Sequence, residues 1–291
     1  MNQDFPARSA FTFPAQAISA PIEIRPCTSL EEYEECVRLE HATWGDDILV
    51  PAAAFVVAHH TGGHVLGAFE SPSADSTGPP KMVGFTLAFS GVHRGTPFLH
   101  SHMTAVLKTP QNRGVGRRLK LFQRQDALAR GVGLVQWTFD PLELKNAHFN
   151  LVRLGAVARS YIPNCYGITE SPLHAGLPTD RLVAEWHLDS ERVRSILTEP
   201  LASTPVRSNR NSVRISLPGN IGEIKSRDSV GGAQIQSRAR DEFQKWFAKG
   251  YAATGVEVHG DVTDYILHPA AEIPGLTPGP SHGALHKGGK A

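Results

Sequence analysis

Cysteine is scarce in this chain: three occur in 291 residues, Cys27, Cys36 and Cys165. Three thiols make no disulfide framework, and no two of them have the short spacing of a zinc knuckle. A reducing, cytoplasmic setting is the expectation that follows. Long apolar runs are missing as well. None approaches the ~20 residues of a membrane span, which excludes a helical membrane protein. Met1 to Ala20 lacks a basic stretch followed by an apolar core, so it does not read as a signal peptide. Charge of one sign is not in excess either. A net charge of +1 argues against a protein that clamps nucleic acid over its whole surface. The fourteen histidines include no His-Glu-x-x-His or similar spacing, so no metal is expected.

What is present is globular: 41% hydrophobic and 20% charged residues, in a length that fits one large domain or two smaller ones. The near-zero net charge conceals a segregation. Residues 21–75 carry ten acids and two bases, whereas residues 108–124 carry six bases and no acid. The acidic stretch reads as a solvated helix face, the basic one as an anion site. A third stretch, 201–250, holds nine bases and four acids.

Apolar periodicity orders the elements. Ile22–Pro26 alternates as a strand. Thr28-Ser-Leu-Glu31 has capping-box spacing ahead of a helix marked by Leu30, Tyr33, Val37, His41 and Trp44. Pro51 opens a short helix through Ala58. Strands follow at His64–Phe69, Met82–Phe89 and Phe98–Leu107, the last two joined by a hairpin around Gly91–Pro97. Arg117–Arg130 is a helix with Val115, Leu119, Phe122 and Ala129 on one face. Leu134–Phe139 is a strand, Asn146–Leu154 a short helix, and Val157–Ile162 and Arg181–Leu188 are strands. Beyond Leu188 come a helix over Ser190–Leu197, a Pro/Ser-rich linker, a strand at Val213–Leu217, a helix over Ser237–Gly250 and a strand or hairpin at Val256–Leu267.

The segment Gln111-Asn-Arg-Gly114-Val-Gly116, after a strand and before a helix, carries a mechanism. Two glycines let the backbone come close to an anion, and the first helical amides point outward at the positive end of the helix dipole. Arg113, Arg117 and Arg118 add positive charge. The segment is neither a nucleoside-triphosphate loop nor a dinucleotide loop, since it lacks their lysine and third glycine. A tight turn with a basic helix start is the alternative.

Gln-x-x-Gly-x-Gly after the fourth strand, in this order of elements, resembles the GNAT superfamily of acyl-coenzyme A-dependent N-acyltransferases over about residues 21–188. Pro110 and Arg113 fit the run-up to that loop, and Asn146 with Arg153-Leu-Gly155 fits a later helix of the family. The resemblance implies a mixed α/β fold: a mostly antiparallel central sheet flanked by helices, here with a small C-terminal α/β appendage. It implies that Gln111, Asn112, Arg113, Gly114, Val115, Gly116 and Arg117 bind the pyrophosphate of coenzyme A. Val106, Leu107 and Lys108 would pair with the pantetheine arm, and Asn146 would contact the cofactor. The family often has a tyrosine four residues before the glycine of Leu-Gly, to protonate the leaving thiolate. That position is Leu151 here. Tyr161 and Tyr166 are substitutes, or the thiolate leaves unassisted, since a thiol has a pKa near 8.5.

Acyl transfer to an amine also needs a base and an oxyanion donor. The backbone amide near Ala105 or Val106 is the donor the resemblance implies. His100 and His102, two apart on one strand, share a face and are candidate bases, with structural histidines as the alternative. Asp140, with Glu143, lies at a strand end, where carboxylates reach a ligand crevice; capping of the Pro-started turn is the competing role. Asn150, Tyr161, Asn164 and Tyr166 line an acceptor pocket or make a turn. Asp180-Arg181 reads as an ion pair or cap. Trp44, Trp137 and Trp186 read as core.

The expected domains are a flexible tail (1–20), an acyl-CoA-binding domain (21–190), a C-terminal extension (191–274) and a disordered tail (275–291). The expected activity is transfer of an acetyl or similar acyl group from acyl-CoA to a primary amine of a small molecule, with amino acids among the candidates, by direct attack in a ternary complex. A non-catalytic coenzyme A-binding regulatory module is the alternative. A homodimer is a candidate assembly. Neither a membrane nor nucleic acid is an expected partner, because the bases of 201–250 come without a set of stacking aromatics.

Overall fold

The computed structural model describes residues 21–45, 49–72, 78–108, 114–168, 175–198 and 211–276. The expected tail 1–20, residues 277–291 of the expected tail 275–291, most of the linker around 199–210, and Gln111, Asn112 and Arg113 lie outside these residues. The chain divides into two compact units at Val132/Gly133, inside the segment read above as one domain. Each unit is a mixed α/β layer structure. No helix among the described residues is long and apolar enough to cross a membrane.

The first unit holds β1 (Ile22–Pro26), α1 (Leu30–Trp44), α2 (Ala52–His60), β2 (His64–Glu70), β3 (Lys81–His93), β4 (Thr96–Val106) and α3 (Val115–Ala129). Its strands run β1-β2-β3-β4, every neighbour antiparallel. The hairpin between β3 and β4 closes through two residues, Arg94 (φ 49°) and Gly95 (φ 79°). Two left-handed residues match the twist of the flanking strands. The α1 cap sits one residue later than the spacing predicts. Ser29 Oγ accepts from the Glu32 N–H, and Glu32 Oε2 accepts from the Thr28 N–H at 2.8 Å. Helices α1 and α2 pack on one sheet face over Tyr33, Cys36, Phe55, Phe85 and Leu87. Helix α3 packs on the other, through Val115 and Leu119 against Leu66, Ala68 and Val83.

The second unit holds β5 (Leu134–Phe139), α4 (Leu144–His148), a π turn (Phe149–Arg153), β6 (Val157–Ile162), β7 (Arg181–His187), α5 (Glu191–Thr198), β8 (Val213–Pro218), α6 (Ile221–Arg227), α7 (Ser229–Ala248), β9 (Tyr251–His259) and β10 (Val262–Pro269). Its sheet runs β5-β7-β6-β9-β10-β8. The strands after residue 190 therefore extend the same sheet, joined where Ala158 of β6 faces Ala253 of β9. Helix α7 begins eight residues earlier than the sequence predicts. Asp228 caps it, accepting the Gly231 N–H at 2.9 Å. A side chain at Gly232 would meet the Lys225 backbone at 3.2 Å, so this glycine serves close packing of α6 on α7 instead of breaking the helix.

Candidate active site

In the first unit the glycine turn meets the end of β4. Gly114 adopts φ 86°, a left-handed conformation that glycine takes without strain. Its carbonyl accepts the first helical bond, from the Arg118 N–H at 3.0 Å. The amides of residues 115–117 thus precede the hydrogen-bonded ladder of α3, where the helix carries its positive partial charge. No acid lies in that first turn. Among the described residues, a Cβ at Gly114 would meet nothing within 4 Å, and one at Gly116 only Val106 Cγ2 at 3.8 Å. Among the described residues the space above Gly114 is open and that above Gly116 is bordered by Val106 alone.

Val106, Gly114, Val115 and Gly116 are thus brought together. Leu107 continues the strand, its N–H on Val83 O at 2.9 Å, and Lys108 is exposed. Arg118 is not a mobile charge: its guanidinium donates to the Ile22 carbonyl. The helical face also differs from the sequence reading. Ala129 is exposed, and the buried positions continue through Lys120, Gln123 and Ala127.

The two histidines come together on β4. Their ring centroids are 6.3 Å apart, and Phe89 meets His102 edge-on at 5.7 Å. Leu87 pairs with Met103 and Ala88 with Ser101, so His102 is the extra residue of a β-bulge. Such a bulge re-aims a side chain and is common beside active sites. Both rings lie on the sheet face that carries α1 and α2, since Phe89, a neighbour of that cluster, pairs with His100. Burial, with His102 and Lys120 nearby, pushes His100 down to about 4; burial also lowers His102. Both rings are neutral at pH 7.

Behind them, Lys120 of α3 is buried, with Nζ donating to Ser101 Oγ at 2.7 Å and Gln123 Oε1 at 3.1 Å. Burial lowers its ammonium to about 7. Sequence reading placed this lysine among the anion-binding charges; no rule of spacing marks it as internal. Glu40 was similarly read as part of a solvated face. It is fully buried, with Oε2 accepting the Val50 N–H at 2.8 Å, and burial raises it to about 7.

In the second unit, the other expected site residues have partners of their own. Asp140 Oδ1 accepts the Leu142 N–H at 2.8 Å, the capping role, and its Oδ2 lies 3.6 Å from Lys225 Nζ. Glu143 also pairs with Lys225, at 2.9 Å. These strand-end carboxylates hold an ammonium group, and it is the chain's own. Tyr161 donates to Asp180 Oδ2 at 2.6 Å, which with burial raises its hydroxyl well above the usual tyrosine range. Asp180 is fully buried, accepts the Asn164 N–H at 2.9 Å, and pairs with Arg240, not Arg181. Tyr166 is exposed, its hydroxyl 2.9 Å from Thr138 Oγ1. Leu151 is fully buried. Asn146 is exposed, and its Oδ1 accepts from Asn150 Nδ2 at 3.3 Å.

No family model and no curated protein matches this chain. Solved structures align with part of it. Ribosomal-protein-S18-alanine N-acetyltransferase from Escherichia coli aligns over 57% of this chain and 94% of its own, at 14% identity and a TM-score of 0.44. NAA60 from Arabidopsis thaliana, solved with a bisubstrate analogue, aligns over 57% and 98%, at 13% identity and a TM-score of 0.46. An aminoglycoside 6'-acetyltransferase of type Ii aligns over 57% and 96%, at 16% identity and a TM-score of 0.41. Similarity at this level assigns neither acceptor nor mechanism to the present chain.

Proposed function

We propose that this chain is a GNAT-type N-acyltransferase that moves an acetyl or similar acyl group from acyl-CoA to a primary amine of a small molecule. One observation carries the proposal: two glycines that no described residue crowds stand at the positive end of a basic helix, beside the end of a strand. That combination suits a diphosphate. The amides of Gly114, Val115, Gly116 and Arg117 hold the diphosphate, with Gln111, Asn112 and Arg113 assigned to the same loop. The backbone of Val106, Leu107 and Lys108 pairs with the pantetheine arm.

His102 is the base. It is the exposed ring of the pair, re-aimed by the bulge and neutral at pH 7. It takes a proton from the neutral amine as the nitrogen attacks the thioester carbon. The C–N bond forms, the C–S bond breaks, and the electron pair leaves on sulfur. His102 lies four residues before Val106, roughly 13 Å of strand at ~3.3 Å per residue, and the acyl arm must cover that distance. His100 flanks the base. The thiolate leaves without a tyrosine, as Leu151 is buried and Tyr161 is committed to Asp180. Asp140 and Tyr161 are assigned structural roles. The free, fully buried thiols of Cys27 and Cys36 suit a reducing, cytoplasmic setting.

Thiol release from acetyl-CoA, followed over a panel of small amines and amino acids, tests this reading. Amine-dependent release supports it. Tight coenzyme A binding without release would favour a regulatory binding module, a reading to which the missing tyrosine at Leu151 points. Absence of coenzyme A binding would contradict both.

A further inference from the structure

The residue between the two β4 histidines points the other way. Ser101 is buried against α3, where its Oγ accepts from Lys120 Nζ at 2.7 Å and from Gln123 Nε2 at 3.5 Å. Gln123 Oε1 accepts from the same ammonium at 3.1 Å, one helical turn along. The three side chains close a triangle between helix and strand. That triangle is unfavourable at and below neutral pH, because it holds an ammonium in the interior. Apolar residues of similar size would seal the same seam at lower cost, and buried polar groups of this kind fix register in some folds.

Strand β4 needs such a fix. It carries one residue more than β3 across two regular pairs, Ala88 with Ser101 and Leu87 with Met103. The extra residue has three possible positions: Ser101, His102 or Met103. Two anchors of opposite chemistry exclude the outer two. Ser101 is tied to α3 through its hydroxyl. Met103 packs on the apolar cluster under α1 and α2, on the opposite face, and its carbonyl accepts from Thr86 Oγ1 at 3.1 Å. His102 is the residue left over, and its ring stands edge-on to Phe89 at 5.7 Å.

We infer that Ser101 and Lys120 are positioning residues for His102: their hydrogen bond sets the bulge that aims the ring. They act from the sheet face opposite that ring. The inference deepens the reading of His102 as the base and rests on it.

The full-length chain tests it with Ser101→Ala, Ser101→Thr, Lys120→Met, His102→Gln and the double variant Ser101→Ala/Lys120→Met. Turnover is followed with acetyl-CoA and the amine that gives the fastest thiol release. We expect Ser101→Ala to lower kcat about tenfold, the effect of a misplaced base, with KM for acetyl-CoA within about twofold. Ser101→Thr keeps the hydroxyl on a residue suited to strands, and stays within about twofold of wild type. The double variant matches Ser101→Ala alone, because both residues act through one contact. Unchanged kcat in Ser101→Ala while His102→Gln loses it, or additive losses in the double variant, would overturn the inference. The aim of the ring is also read without turnover. The His102 Hε1 proton resonance, assigned by its disappearance in His102→Gln, lies in the ring current of Phe89. It should move in Ser101→Ala and return in Ser101→Thr. If His102→Gln leaves kcat unchanged, the base itself is wrong, and this resonance decides the remainder: a shift in Ser101→Ala supports the positioning role, and an unmoved resonance refutes it. Should Lys120→Met fail to fold, the two Ser101 variants carry the same comparisons.

Discussion

Lys120 places its ammonium 2.7 Å from Ser101 Oγ, the residue between the two β4 histidines. It is buried, and its pKa is lowered to about 7 from 10.5. The folded state therefore binds fewer protons than the unfolded chain between those values, and stability rises with pH across that window. At and below neutral pH the lysine is a burden. Lys120→Met should raise the melting temperature near pH 6, and its advantage over wild type should shrink as pH climbs toward 10. A melting series across that range checks the sign; a constant difference would be at odds with a desolvated ammonium.

Glu40 has the opposite dependence. Its carboxyl is raised to about 7 from 4.5, so the folded state keeps a proton that the unfolded chain has lost. The contribution is full below 4.5 and is lost as pH rises through 7. Glu40→Gln keeps a neutral side chain whose carbonyl can still accept the Val50 N–H. It should match wild type near pH 4 and exceed it near pH 8, by at most about 3 kcal/mol. Chemical denaturation at the two pH values measures the difference.

If His102 is the base, kcat/KM falls at low pH as the ring gains its proton, with a midpoint below the ordinary 6.5. His102→Gln should remove that limb and lower kcat about a hundredfold or more. A pH-rate profile that keeps the limb in His102→Gln would move the base elsewhere.

Tyr161→Phe should leave kcat within about twofold and cost about 1 kcal/mol of stability, the price of one hydrogen bond to Asp180. Arg240→Ala should cost about 3–5 kcal/mol, because it strips the fully buried Asp180 of its cation. Turnover and unfolding measured on the same preparations separate the two roles. A large kcat loss in Tyr161→Phe would restore a catalytic tyrosine.

Most elements were legible in the sequence because they obey a period. Strands such as Leu134–Phe139 and the glycine turn into α3 announce themselves locally. What was hidden depends on distant partners or on backbone register. Lys120 reads as an anion-site charge and Glu40 as part of a solvated face because periodicity counts only apolar residues, yet both are buried. Asp180 finds Arg240 sixty residues on, not its neighbour Arg181. The bulge at His102 and the π turn at Phe149–Arg153 change register without changing composition. The strands after residue 190 join the sheet through β6, a pairing no local pattern encodes.

Gly116 offers the most direct measurement. Among the described residues a methyl group there meets only Val106 Cγ2 at 3.8 Å, an ordinary contact, and alanine is the better helix former. Titration calorimetry of coenzyme A, run beside a thermal melt, compares wild type with Gly116→Ala and Gly116→Asp. An undisturbed melt with affinity down about tenfold in the alanine variant, and binding abolished in the aspartate variant, is the predicted result. Equal coenzyme A affinity in all three proteins would contradict a diphosphate held over these amides.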